Sequence, residues 1–330
     1  MFAWYRRSAV TIIHLSDVSN SASLTESIWF ERGWTLQELL APRRVIFFTR
    51  DWSPYTNRES SDHKTDVTVL KELEKATGIR EWHLQNFRPG TDDARSRLQW
   101  ASTRRTTRPE DVAYSLFGIF DLHLPVLYGE SADKALGRLL TEITSQSGDV
   151  SILDWVGQAS SFHSCLPASL SPYRTMPRVH SSQSGPPTRE GVNLENARKL
   201  CTALAELPFP RFINHVLLLP SIIHQINIHA SGLIPLELRL SVSLREGTGA
   251  RLSYILVRPW HPKLLDLLAG DDIDAPWKLL EQLGQPFNAF LLMKLRGKQY
   301  KRIAADCMIV ACVRDLTSIV DSELQMLDIV

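Results

Sequence analysis

Two short apolar runs, AVTIIHL at residues 9–15 and RVIFF at 44–48, flank an amphipathic stretch, WFERGWTLQELLA at 29–41. Each run is too short for a helix and rich in β-branched residues. That is the pattern of a strand buried on both faces. The stretch between them puts Leu36, Leu39 and Leu40 on one side and stops at Pro42, as a helix packed on a sheet does. Strand, helix and strand in this order predict a βαβ unit with parallel strands. MFAWYRRS, ahead of the first run, reads as the last turns of a helix.

The chain has 330 residues, more than one core holds comfortably, so several domains are expected. Residues 53–156 read as helical. DVTVLKELEKATGI has Gly78 in place as a C-terminal cap. TRPEDVAYSLFGIF opens on Thr107, Pro109 and Glu110, a capping box with proline in the first turn. Leu136, Leu139, Leu140 and Ile143 form the stripe of a core-facing helix. Residues 157–210 begin with a long Ser- and Pro-rich stretch and read as a linker. From residue 211 the chain is β-rich, with runs such as HVLLLP, HQINIH, LIPLELRLSV, RLSYILV, NAFLLMKL, YKRIA and CMIVACV. One helix, HPKLLDLLA, interrupts them. The fold class is therefore α+β.

Charge argues against some partners. With 37 basic and 36 acidic residues the net charge is +1, which gives no electrostatic reason to expect nucleic acid or an anionic membrane. The local cluster Arg95, Arg97, Arg104, Arg105 and Arg108 is flanked by Asp92, Asp93, Glu110 and Asp111. It reads as a solvated, salt-bridged helix face. The four cysteines form no C-x-x-C pair, which suits reduced thiols and a cytoplasmic location. No apolar run is long enough to span a bilayer. Phosphate-loop, dinucleotide-fold, zinc-protease and nucleophile-elbow motifs do not occur, and no metal or resident cofactor is expected.

SIWFERGWTLQELLAP, followed by the second apolar run and by Asp51–Trp52, resembles the signature block of the fungal heterokaryon-incompatibility (HET) domain. MFAWYRRSAVTIIHLSDV matches the segment ahead of that block. RLQWASTRRTTRPEDVAYSLFGIFDLHLPVLYGESADKALGRLLTEI resembles the helical extension that follows it. The resemblance covers about residues 1–155. It implies a role in self/non-self recognition and cell-death signalling, with protein partners or self-association. It also implies a partial TIR-like α/β segment with a parallel sheet, because the HET domain is distantly similar to the Toll/interleukin-1 receptor fold. Some members of that fold cleave NAD with a glutamate that lies four residues beyond a tryptophan. Trp34 and Glu38 keep that spacing, so the resemblance implies Glu38 as catalytic, with Trp34, Arg32 and Gln37 lining the pocket and NAD as substrate.

Residues at i and i+4 share a helix face. A carboxylate beside an indole is partly desolvated, which raises its pKa and suits it to proton work or to steadying an oxocarbenium-like transition state. The other reading has Glu38 paired with Arg43 or Arg44, Trp34 filling core, and Arg32 and Gln37 on a solvated face. The family's HET domain begins upstream with a further strand–helix–strand. Residues 1–52 thus read as its C-terminal half in an N-terminally truncated chain, or in a non-functional fragment. Strand 9–15 is then expected to leave an open, self-associating edge.

Overall fold

The N-terminal elements lie where the apolar runs put them. The computed structural model describes residues 1–57, 61–175, 191–223, 254–262, 264, 274–313 and 315–330. Helix α1 (Phe2–Arg7) leads to strand β1 (Thr11–His14), helix α2 (Thr35–Leu40) and strand β2 (Val45–Phe48). β1 and β2 pair in parallel, Thr11 opposite Val45 and His14 opposite Phe48. The pair is buried on one face, not on both as expected. Ile13, Leu15, Val45 and Phe47 are buried, whereas Ile12 is 57% exposed. Covering side chains gather on the inward face: the Phe47 ring stacks on His63 and meets Phe30 and Trp29.

The helix expected over 29–41 breaks at Arg32. Ile28–Glu31 forms one 3-10 turn, Arg32 is extended (φ −83°, ψ 140°), and α2 starts at Thr35. A distant segment makes the break. The Arg105 N–H donates to the Glu31 carbonyl at 2.6 Å and the Gly33 N–H donates to the Arg105 carbonyl at 2.8 Å. A Cβ on Gly33 would lie 2.5 Å from Thr106 Cγ2, so any larger residue would have to displace the Thr106 side chain.

Helices α3 (Val67–Thr77), α4 (Glu81–Asn86), α5 (Ala94–Ala101), α6 (Asp111–Tyr114), α7 (Phe117–Phe120) and α8 (Ala132–Ser147) follow. Asp66 caps α3 by accepting from the Thr68 and Val69 N–H groups, and Gly78 ends it at φ 69°. The α8 stripe is buried as its periodicity predicts. The capping box at 107–110 does not form. The Glu110 carboxylate instead accepts from the Gly129 N–H at 3.0 Å, and the segment yields two one-turn helices. The arginine cluster is a solvated face only at Arg105 and Arg108. Arg95, Arg97 and Arg104 are buried, with their guanidiniums on backbone carbonyls of Thr175, Ile119 and Arg32.

The chain divides into two compact units, Met1–Leu139 with Ser169–Met176, and Leu140–Ala168 with Pro177–Val330. The division falls inside α8. The second unit holds strands β3 (Arg211–Ile213), β4 (Val216–Ile223), β5 (Tyr254–Pro259), β6 (Phe287–Asn288), β7 (Phe290–Lys294), β8 (Gln299–Arg302), β9 (Val310–Ala311) and β10 (Glu323–Ile329). Six of them form one sheet in the order β10-β8-β7-β5-β4-β3. β10 also pairs with β4, so the ladder closes on itself.

Helices α9 (Leu194–Ala205), α10 (Ala275–Leu283) and α11 (Leu316–Val320) share a core with Trp260. α9 falls inside the segment expected as linker. It forms because Asn193 caps it and Ala197, Leu200, Cys201 and Leu204 supply an apolar face. Earlier in the same segment His163, Cys165, Leu166 and Tyr173 are buried. The runs HQINIH and LIPLELRLSV, and most of HPKLLDLLA, lie outside the described residues. No helix among the described residues is long and apolar enough to cross a membrane.

Candidate functional site

The start of α2 gathers the four residues singled out by the sequence, but they face different ways. Gln37 is 2% exposed, and its Nε2 donates to the Ser115 carbonyl at 2.5 Å. It packs over Gly118, where a Cβ would lie 2.8 Å from Gln37 Oε1. Gln37 thus holds α2 against the turn between α6 and α7 and is turned away from solvent. Trp34 is half-buried, and its indole N–H donates to Asp111 Oδ2 at 3.0 Å. Only part of its ring is left for anything else.

Glu38 lies one turn on from Trp34, with its N–H directed to the Trp34 carbonyl at 3.4 Å. Its carboxylate is half-buried and lies near the Tyr5 hydroxyl of α1, close enough to act on its titration. Burial pushes the Glu38 carboxyl above its ordinary value, against the opposing pull of the Tyr5 hydroxyl and the Arg32 charge. The Tyr5 hydroxyl is raised as well, by burial first and then by the neighbouring Glu38 charge. Arg32 is exposed and supplies the cation that acts on Glu38. Arg44, one of the two alternative partners, directs its Nε to the Ala9 carbonyl at 3.0 Å.

Beneath Arg32 sits a residue that the sequence did not single out for the site. Arg104 donates from Nη1 to the Arg32 carbonyl at 2.9 Å and to Thr35 Oγ1 at 3.0 Å, and from Nε to the Trp100 carbonyl at 3.2 Å. Burial pushes its guanidinium down to about 10. The Thr35 hydroxyl reaches the carbonyls of Trp29 and Arg32. These bonds fix the bend before α2 and so fix where Arg32 and Glu38 point. Tyr5, Asp111 and Arg104 are the additions to the expected set. No local pattern reveals them, because each reaches α2 from a different part of the chain. Chemically the cluster offers a carboxyl that keeps its proton more readily than usual, a phenol beside it, a neighbouring cation and a partly exposed indole.

No family model matches the chain. No solved structure matches it. Over 160 residues it is 41% identical to the vegetative incompatibility protein HET-E-1 of Podospora anserina. That alignment covers 45% of this chain and 11% of the relative, so the chain spans a small part of the length of the protein it matches. The chain is thus related in sequence to a heterokaryon-incompatibility protein.

Proposed function

We propose that the chain acts in vegetative incompatibility, in fungal self/non-self recognition that leads to cell death. The single observation that carries this reading is the 41% identity over 160 residues to HET-E-1. In this reading residues 1–52 belong to a HET-type, TIR-like segment, and the parallel β1–β2 pair is the feature that fits it. Residues 53–156 are its helical extension and 211–330 a β-rich domain. The protein works in the cytoplasm through a protein partner. Inducible expression in Podospora anserina tests the function. Growth arrest on induction is the expected result, and undiminished growth at confirmed protein abundance counts against it.

Glu38 favours a second, enzymatic reading, NAD cleavage. The supporting geometry is its half-buried, proton-retaining carboxyl, one helical turn from a partly exposed indole and beside Arg32. Glu38 would steady the positive charge that develops as nicotinamide leaves. Purified chain incubated with NAD should release nicotinamide. Glu38→Gln should abolish the release while its melting curve stays unchanged. A wild-type chain that releases none counts against this reading.

A further inference from the structure

Two arginines from distant parts of the chain lie side by side. The Arg105 N–H donates to the Glu31 carbonyl and the Gly33 N–H to the Arg105 carbonyl, so Arg32 and Arg105 pair as an isolated parallel bridge. Bridged residues sit roughly 5 Å apart and send their side chains out on the same face. Both arginines are exposed. Like charges set opposite each other on neighbouring strands repel, so the pairing carries a cost that an anion between them removes.

The backbone does not relax the pair by bending away. The Arg32 carbonyl accepts from Arg104 Nη1 at 2.9 Å and from the Thr35 hydroxyl at 2.7 Å. Gly33 lets the two segments close, because its hydrogen faces Thr106 where a Cβ would collide. Only the two side chains are left for a ligand to order, which lowers the entropic cost of binding.

The carboxylates around the pair are Glu31, Glu38, Glu110 and Asp111. Glu110 accepts from the Gly129 N–H and Asp111 from the Trp34 indole, and both are buried. Glu38 is half-buried and feels the Arg32 charge. Glu31 is exposed and competes with any anion that approaches. Among the described residues neither Arg32 nor Arg105 forms an ion pair with any of them. The third exposed arginine nearby, Arg108, lies over the Tyr128 ring at 4.6 Å. A guanidinium fork grips phosphoryl oxygens with two parallel bonds, so two neighbouring forks fit two linked phosphoryl groups. We propose that Arg32 and Arg105 form a binding site for a diphosphate group, free or carried by a nucleotide. On the NAD-cleaving reading, and resting on it, the same pair holds the diphosphate of the dinucleotide beside Glu38. Diphosphate binding itself does not need that reading.

The test uses the full chain and calorimetry with pyrophosphate, ADP and adenosine. Pyrophosphate and ADP should bind, adenosine should not, and the affinity should fall as salt rises. Arg32→Gln and Arg105→Gln should each weaken pyrophosphate binding at least about tenfold, as loss of charge-assisted bonds does. Both change exposed side chains, so both should melt like the wild type. Glu31→Gln should tighten binding by removing the competitor. Arg108→Gln, outside the bridge, should change the affinity less than about twofold. ADP held more tightly than pyrophosphate assigns the site to a nucleotide, and ADP held no more tightly assigns it to the inorganic ion. Absence of pyrophosphate and ADP binding, adenosine binding as tight as ADP, or Arg108→Gln weakening binding as much as Arg32→Gln overturns the proposal. A chain that binds pyrophosphate through the pair yet releases no nicotinamide from NAD defeats the enzymatic reading alone.

Discussion

Arg104 is almost fully buried, yet the groups its guanidinium reaches are neutral: the Trp100 and Arg32 carbonyls and the Thr35 hydroxyl. Arg97 reaches the Asp92 and Ile119 carbonyls, and in the second unit Arg302 reaches those of Leu153 and Trp155. The Arg302 guanidinium also lies against the Trp155 and Phe290 rings, 4.4 and 4.0 Å from their centroids. A planar fork with five donors can serve several carbonyls at once, and each charge-assisted bond offsets part of the cost of burial. Arg104→Lys should therefore destabilise the first unit by about 1.5–3 kcal/mol, the range for losing a hydrogen bond to a charged group. Chemical denaturation checks this, and an unchanged midpoint would mean that the fork geometry is idle. None of this was legible in the sequence, where Arg97 and Arg104 belong to a run that spells a solvated basic face. Their acceptors are backbone carbonyls, which every residue has, and the Arg32 carbonyl lies 72 positions from Arg104.

At the scale of elements, local chemistry was readable and remote chemistry was not. β1, β2, α3 and α8 follow from apolar periodicity and caps that act within a few residues. The parallel pairing of β1 and β2 follows from the intervening helix. Their one-sided burial does not, because it depends on what covers each face. Of the candidate site, the Trp34–Glu38 spacing was visible. The assignment of Gln37 to the interior was not, since the Ser115 carbonyl and Gly118 that receive it are about eighty positions away. That contact also gives a prediction. A Cβ on Gly118 would sit 2.4 Å from Phe2 Cβ and 2.8 Å from Gln37 Oε1. Phe2 Cβ is fixed to the backbone of α1 and cannot swing aside, so Gly118→Ala should cost about 1–3 kcal/mol through overpacking. Thermal melts should show a lower midpoint, and exchange should speed at α1 and α2 ahead of α3. A variant that melts like the wild type would show that α1 can shift without loss.

The second unit is closed by β10, and that closure is tied to a histidine. β10 pairs with both β4 and β8, so it completes the ring of strands. His163 holds it. Nε2 faces the Ile329 carbonyl at 3.0 Å and must carry the proton, while Nδ1 accepts the Cys165 N–H at 3.1 Å. Ser164, the next residue, donates to the Val330 carbonyl and accepts from the Arg302 N–H. A second proton on Nδ1 would set an N–H against an N–H. Burial pushes the His163 pKa down to about 4, the His215 charge adds to the effect and the Ile329 carbonyl opposes it. In the unfolded chain the imidazole titrates near 6.5. Between these values the unfolded state binds more protons, so the stability held by neutral His163 is complete above about 6.5 and is lost as pH falls through about 4. The amount is on the order of 3 kcal/mol. His163→Asn cannot titrate in this range. Urea unfolding should show the variant less stable than wild type at neutral pH, with the gap narrowing by roughly that amount as pH falls from 6.5 to 4. At neutral pH the same variant should exchange faster at the Leu327 and Ile329 amides of β10. A gap that stays constant with pH would mean that His163 keeps an ordinary pKa and that β10 is held without it.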